Sequence, residues 1–122
     1  MTLEIALKGM LDARSMLQQK EAVYTPSYIS EQMQRLAQYT SAVEEKLAEL
    51  EKELRIKESQ IYNIHRAEGE SSNASNVAVE HETSEEKAEI IKLTRLASSS
   101  WRLIGASQSR IKHLLAEAQN QI

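Results

Sequence analysis

The stretch SYISEQMQRLAQYTSAVEEKLAELEKELRIKESQIYNIHR, from Ser27 to Arg66, decides the fold. Its apolar residues are spaced alternately four and three apart, and polar residues replace them only at Thr40 and Lys57. Such spacing, kept over about five heptads, is the pattern of a helix that packs along one seam against another helix. The apolar seam residues are Ile29, Met33, Leu36, Val43, Leu47, Leu50, Leu54, Ile61 and Ile64. We therefore predict a long coiled-coil-like helix at 25–67, on the order of 60 Å long.

The start of this helix is marked by Thr25 and Pro26. Threonine is a good N-cap residue, and proline suits the first helical position because its missing N–H is not needed there. Residues 1–24 precede it as an N-terminal helix and connector, with Leu3, Leu7, Met10 and Leu17 on one helical face and Leu11 beside it.

Residues 68–83 are acidic and polar, and we predict a loop there because Ser and Asn disrupt the apolar periodicity. Thr83-Ser84-Glu85-Glu86 then has the spacing of a capping box. We predict that a last helix occupies 84–122. On a wheel at roughly 100° per residue, its apolar arc is centred on Ile90, Leu93, Ala97, Trp101, Ile104, Gln108, Ile111, Leu115 and Ala118. Gly105, within this helix, is expected to admit a closely approaching backbone.

The predicted fold is all-α, a single domain of three helices in which the last packs on the long central one. The chain has one Trp, four Tyr and no Phe, so it has few large side chains with which to fill a core. A long, thin helical protein of this size completes its core by association, and we therefore expect a homo-oligomer. Whether the last helix packs on its own long helix or on that of a neighbouring copy stays open. The expected oligomer contacts are Ile29, Met33, Leu36, Val43, Leu47, Leu50, Leu54 and Trp101.

Several classes of protein are excluded or disfavoured by composition. The absence of cysteine excludes disulfides and thiolate metal sites. The first ten residues do not resemble a signal peptide, and no stretch has the roughly 20 apolar residues of a membrane helix, so we expect a cytoplasmic protein with no membrane partner. No phosphate loop, nucleophile elbow or catalytic triad order is present. The three histidines lack the spacing of a metal site, and we expect no enzyme activity, metal or cofactor.

Charge is segregated in the second half of the chain. Residues 68–86 contain six glutamates and no Lys or Arg, whereas residues 87–122 contain six basic residues and two glutamates. Lys92, Arg95, Arg102 and Arg110 lie opposite the apolar arc, where a basic helix face suits phosphate binding. The competing interpretation is that basic residues pair with the glutamates of the long helix, which we expect for Lys87 and Lys112. For Arg95 and Arg102, phosphate binding and simple solvation both stay open.

The order of features resembles the UvsY-like recombination mediators of bacteriophages. The resemblance covers most of the chain and rests on Leu36-Ala37-Gln38-Tyr39-Thr40, on Lys87-Ala88-Glu89-Ile90-Ile91-Lys92-Leu93, on Trp101, and on Ser109-Arg110-Ile111-Lys112-His113-Leu114. It implies a ring-forming helical protein that binds single-stranded DNA and helps to load a recombinase. The family's motif of two basic residues followed by tyrosine falls on Arg55, Lys57 and Tyr62, without the family's adjacent tyrosines.

Two functions are therefore expected, and a purely structural coiled-coil oligomer is a third alternative. The first is a non-enzymatic, single-stranded-DNA-binding recombination mediator that has a recombinase or another protein as partner. The second is a protein-only adaptor, inhibitor or assembly scaffold of phage type, which acts through its exposed helix faces. The residues expected to bind nucleic acid are Arg55, Lys57, Tyr62, Lys92, Arg95, Arg102 and Arg110.

Overall fold

The computed structural model describes residues 1–19 and 25–120, which form four α-helices and no strand. The all-α prediction is therefore confirmed, but the helices number four and not three. They are α1 (Leu3–Gln18), α2 (Pro26–Ala67), α3 (Ser72–Glu82) and α4 (Ser84–Asn120). No helix in the described part of the chain is long and apolar enough to cross a membrane.

The helices contribute to two compact units. The α1 unit contains the described residues of Met1–Glu44 and Arg95–Ile122, and the α3 unit is Glu45–Thr94. The long helices α2 and α4 take part in both units, whereas α1 and α3 each belong to one.

The α1 unit is built on small residues. Thr2 caps α1 by accepting a hydrogen bond from the Ile5 amide at 3.2 Å, and the buried face of α1 is Ala6, Gly9, Met10, Ala13 and Leu17. This face differs from the predicted one, because Leu3 and Leu7 are only half-buried and Leu11 is exposed. The buried face thus contains alanine and glycine where leucines were predicted, which leaves room for another side chain to pack against the helix. A Cβ added at Gly9 would overlap the ring of Tyr39.

The start of α2 follows the predicted chemistry. The Thr25 hydroxyl accepts a hydrogen bond from the Tyr28 amide at 3.2 Å, and Pro26 is the first helical residue. The seam is also largely as predicted, since Ile29, Leu36, Val43 and Leu47 are buried. Two positions differ: Gln32 is buried beside a half-buried Met33, and Ile64 is exposed while His65 is half-buried.

The chain leaves α2 through a glycine turn. Gly69 has φ +89°, a conformation that favours glycine. The Glu70 amide donates to the His65 carbonyl, and the Gly69 amide donates to the Arg66 carbonyl, each at 3.1 Å. These are the two hydrogen bonds of a Schellman motif, which satisfies the last carbonyls of a helix and reverses the chain.

The predicted loop at 68–83 contains α3, which the sequence analysis missed. The Ser71 hydroxyl accepts from the Ala74 amide at 3.1 Å, so a serine that was interpreted as a loop residue is an N-cap. The buried residues of α3 are Ser75 and Val79, too few for a visible apolar periodicity. The Ser72 hydroxyl lies 3.0 Å from that of Tyr62, which places the start of α3 beside α2.

The capping box predicted at Thr83 is not formed. Thr83 is buried, and its hydroxyl donates back to the Val79 carbonyl of α3 at 2.6 Å, whereas a capping box needs it to accept from the Glu86 amide. Glu86, the other half of the predicted box, forms an ion pair with Lys57. A single residue, Thr83, connects α3 to α4. Its backbone has φ −113° and ψ 8°.

The buried seam of α4 is displaced from the predicted arc. Its buried positions are Leu93, Ala97, Ser100, Ile104 and Ser107, whereas Trp101, Gln108 and Leu115 are exposed. These buried residues are spaced alternately four and three apart, which gives a period of about 3.5 residues. The predicted arc was drawn on a straight helical wheel, which drifts by about 20° per heptad from that period. The backbone approach predicted at Gly105 is also not found, because an added Cβ there meets no atom of the described residues within 4 Å.

Candidate functional site

The residues expected to bind nucleic acid are divided between the two units. Arg55, Lys57, Tyr62 and Lys92 belong to the α3 unit, and Arg95, Arg102 and Arg110 belong to the α1 unit. Each group is therefore considered in its own surroundings.

The Arg55–Lys57–Tyr62 group has partners within the α3 unit. Lys57 of α2 forms an ion pair with Glu86 of α4. This ion pair lowers the pKa of the Glu86 carboxyl, chiefly through the hydrogen bond from Lys57. The Arg55 side chain is 78% exposed, with its Nη2 4.0 Å from a Glu51 carboxylate oxygen. A phosphate at Lys57 would have to displace a carboxylate, so the seam position of Lys57 has an explanation within the chain.

Arg95 and Arg102 differ from that group. Both are exposed, and they lie two turns apart on one face of α4, about 10 Å along its axis at 1.5 Å per residue. Neither forms an ion pair with a described residue. Arg110 lies further along the helix and is half-buried. The first two are thus the guanidinium groups of the predicted set that are best placed to receive a phosphate.

Trp101 lies next to this pair in the sequence and is 40% exposed. Its indole Nε1 donates a hydrogen bond to the Glu44 carboxylate at 2.7 Å. The ring is therefore held at the surface of the α1 unit by α2, and it is not the core residue that the apolar arc suggested. A second glutamate of α2 contacts α4 in the α3 unit. The Glu58 carboxylate lies 3.9 Å from Lys87, which agrees with the expected pairing of Lys87 with a glutamate of the long helix.

The residues expected to make oligomer contacts fall into two groups. The chain itself buries Ile29, Leu36, Val43 and Leu47, which are core residues of the single chain. Met33, Leu50 and Leu54 are half-buried, and Trp101 is exposed. Only this second group is accessible to a second copy without rearrangement of the core.

An acidic groove, which the sequence analysis did not identify, runs along the α3 unit. Its apolar residues are Leu50, Leu54 and Ile90, and its volume is about 400 Å³. Glu53, Glu85 and Glu89 line it together with the Lys57–Glu86 ion pair. The feature of the sequence that indicates this groove is the concentration of glutamates at 80–89. The predictions place those glutamates in a loop and a capping box.

The turn after α2 gathers a second acidic cluster around His65. The Nδ1 atom lies 2.7 Å from the Glu70 carboxylate, and the Nε2 atom lies 3.3 Å from that of Glu82. The hydrogen bond to Glu70 is the main cause of a raised pKa for His65; burial opposes it, and Glu82 adds to it. Both carboxylates favour the charged form of the imidazole, because a carboxylate accepts hydrogen bonds and carries a negative charge.

The same turn brings ligand atoms of His65, Glu68 and Glu70 within 4.8 Å of one another. Nitrogen and carboxylate oxygen donors of this kind suit a divalent transition metal such as Zn²⁺. The spacing of the three histidines does not predict this set, because His65 is its one histidine and the other two ligands are glutamates. The turn at Gly69 folds Glu70 back onto His65, and this glycine is the feature of the sequence that indicates the turn.

Comparison with known proteins supplies no relative. No protein-family model matches the chain, and neither a curated protein nor a solved structure matches it.

Proposed function

We propose that the chain is a non-enzymatic accessory protein that binds single-stranded DNA through Arg95 and Arg102. The observation that carries the proposal is their exposure on one face of α4 without an ion pair among the described residues. The α4 sequence between Glu89 and Glu117 contains no acidic residue. An arginine there presents its charge to a phosphate without a neighbouring carboxylate on the same helix segment.

The role as a recombination mediator extends this binding activity. It is supported by the resemblance to the UvsY-like family, in which a protein partner, the recombinase, is loaded onto DNA. A homo-oligomer would repeat the Arg95–Arg102 pair in every copy and raise the effective concentration of phosphate contacts along one strand. Arg110 extends the same contact along α4, whereas Arg55, Lys57, Tyr62 and Lys92 are second choices because they belong to the α3 unit.

The test is a titration of a fluorescein-labelled oligothymidine with the protein, followed by fluorescence anisotropy at several salt concentrations. The Arg95→Gln/Arg102→Gln variant should bind at least about tenfold more weakly, with a salt slope reduced by about 1.4, because two phosphate contacts to a single strand are lost. Lys8→Gln/Lys52→Gln is the matched control, since it removes two positive charges from exposed positions on α1 and α2. Wild-type protein that does not bind at low salt would refute DNA binding, and an equal loss in the control would refute its assignment to α4.

A second candidate function is a protein-only adaptor or assembly scaffold. It is favoured by large apolar side chains that are exposed in the α3 unit, at Ile56, Ile64, Val77 and Ile91. Such side chains are typical of surfaces that contact another protein when they are grouped. A partner that is retained in a pull-down from host lysate after nuclease treatment supports this function, whereas loss of every partner on nuclease treatment opposes it.

A further inference from the structure

We propose that the acidic groove of the α3 unit binds an amphipathic helix of another protein whose apolar stripe is flanked by Lys and Arg. The proposal rests on the second candidate function, that of a protein adaptor, and is independent of DNA binding by Arg95 and Arg102.

The length of the groove suits a helix of about three turns. The depression at Leu50 and Leu54 is followed along α2 by a second one of about 550 Å³ at Ile61, and both are lined by Lys57, Glu85 and Glu86. The distance along α2 from Leu50 to Ile61 is about 16 Å at 1.5 Å per residue. A docked helix of that length presents three or four side chains from one face.

The floor of the groove provides the apolar contact. Leu50, Leu54 and Ile90 are half-buried, so part of each side chain is available to a ligand. They come from two facing helices, α2 and α4, which is the arrangement in which a third helix lays its apolar stripe into a groove. The Lys57–Glu86 pair lines both depressions, and the second depression continues with Ile61 among the polar side chains His81, Glu82 and Ser84.

The rim of the groove selects the charge of the ligand. Lys57 neutralises Glu86, whereas Glu53, Glu85 and Glu89 form no ion pair in the part of the chain that the structure describes. Three carboxylates beside an apolar floor attract basic residues that flank an apolar stripe, and they repel acidic ones. Charge complementarity therefore identifies the ligand as a basic amphipathic helix.

A second copy of this chain does not supply that helix. Its basic segment is in α4, and the apolar face of that segment is already used inside the α1 unit, where Ala97 and Ile104 are buried. Inserting it into another copy would expose that core. The ligand is therefore a separate polypeptide.

The experiment uses three fluorescein-labelled synthetic peptides of about 18 residues, each designed as a helix of five turns. The first carries leucines spaced three and four apart with flanking lysines and arginines. The second replaces the basic residues by glutamate, and the third keeps the basic residues but replaces leucine by serine. Fluorescence anisotropy with the full chain should show binding of the first peptide alone, because the groove requires both the stripe and the positive flanks.

Variants of the protein locate the site. Glu53→Gln/Glu89→Gln should weaken binding of the first peptide by about tenfold, because two rim charges are lost. The matched control Glu45→Gln/Glu80→Gln removes two exposed glutamates of the same unit that do not line the groove, and it should bind as wild type does. Arg95→Gln/Arg102→Gln should also bind the peptide normally, which separates this proposal from DNA binding.

Three results would overturn the proposal. Equal binding of the serine peptide would show attraction by charge alone, and equal losses in both glutamate variants would show that the groove is not the site. The third result concerns protein concentration. It is that the peptide binds only when the protein is dilute enough for light scattering to show that an oligomer has dissociated. In that case the groove is occupied by a second copy.

Discussion

The two glycines within the helices of the α1 unit have opposite surroundings. Gly9 faces the ring of Tyr39, whereas no atom in the described part of the chain lies within 4 Å of a Cβ added at Gly105. Gly105→Ala should raise the free energy of unfolding by up to about 1 kcal/mol, because alanine is the better helix former. Gly9→Ala should lower it by about 1–3 kcal/mol, because its methyl group overlaps a packed ring. Urea unfolding followed by circular dichroism measures both.

The Tyr39 contact is separated from other effects by a double substitution. When Tyr39 is first replaced by alanine, Gly9→Ala should become neutral or stabilising, since the overlapping ring is gone. Stabilisation by Gly9→Ala in the wild-type background would show that the ring moves aside without cost.

Thr40 has the only buried side-chain oxygen or nitrogen in the described residues that lacks a hydrogen-bond partner. Thr40→Val keeps the shape and removes the hydroxyl, so the free energy of unfolding should rise by about 1 kcal/mol. Thr94→Val is the control, because the Thr94 hydroxyl is exposed and bonds to the Ile90 carbonyl. It should change stability by less than about 0.5 kcal/mol. Destabilisation by Thr40→Val would show that the hydroxyl is satisfied in solution.

At the scale of elements, His65 connects α2 to the turn and to α3 through Glu70 and Glu82. Its pKa in the folded chain is raised above the ordinary value of 6.5. The stability that this pairing contributes is therefore fully present below pH 6.5, and it is lost as the pH rises through the higher pKa of the folded state. Urea unfolding at about pH 6 and about pH 8 should show a larger loss of stability for wild type than for His65→Gln.

The carboxylates provide the control for this pH dependence. Glu70→Gln should remove most of it, and Glu82→Gln a smaller part, because Glu70 makes the largest contribution to the raised pKa. Equal pH dependence in wild type and His65→Gln would show that the dependence comes from other groups.

At the scale of the whole molecule, the accessible apolar side chains bear on association. Trp101 and Leu115 are exposed on one row of α4, with Gln108 between them. If this row makes the predicted homo-oligomer contact, light scattering should give a multiple of 13.8 kDa. Emission from Trp101, the one tryptophan of the chain, should shift to the blue as the concentration rises, because the ring leaves water.

Substitutions identify the face that associates. Trp101→Ser/Leu115→Ser should reduce the mass to that of one chain, whereas Ile56→Ser/Ile64→Ser, on α2, should leave it unchanged. The opposite pattern would assign the contact to α2. A monomer mass at every concentration would contradict the homo-oligomer.

The sequence by itself determined the all-α class, the N-cap at Thr25 and most of the α2 seam, because helix capping and apolar spacing are local properties of the chain. It did not reveal α3, since Ser71 is compatible with a loop and with a cap, and few apolar residues follow it. Only part of the site was predictable. Exposure of Arg95 and Arg102 followed from helical periodicity, whereas the partner of Lys57 did not.

Tertiary structure decided which residues of α4 are buried and which charges meet. Ser100 and Ser107 are in the seam and Trp101 is outside it, because small departures from the period of a straight helix accumulate over many turns. The acidic groove and the His65 cluster likewise bring together residues that are separated by turns or by another helix. Local periodicity fixes the face that a residue occupies on its own helix, but the neighbouring element decides what that face contacts.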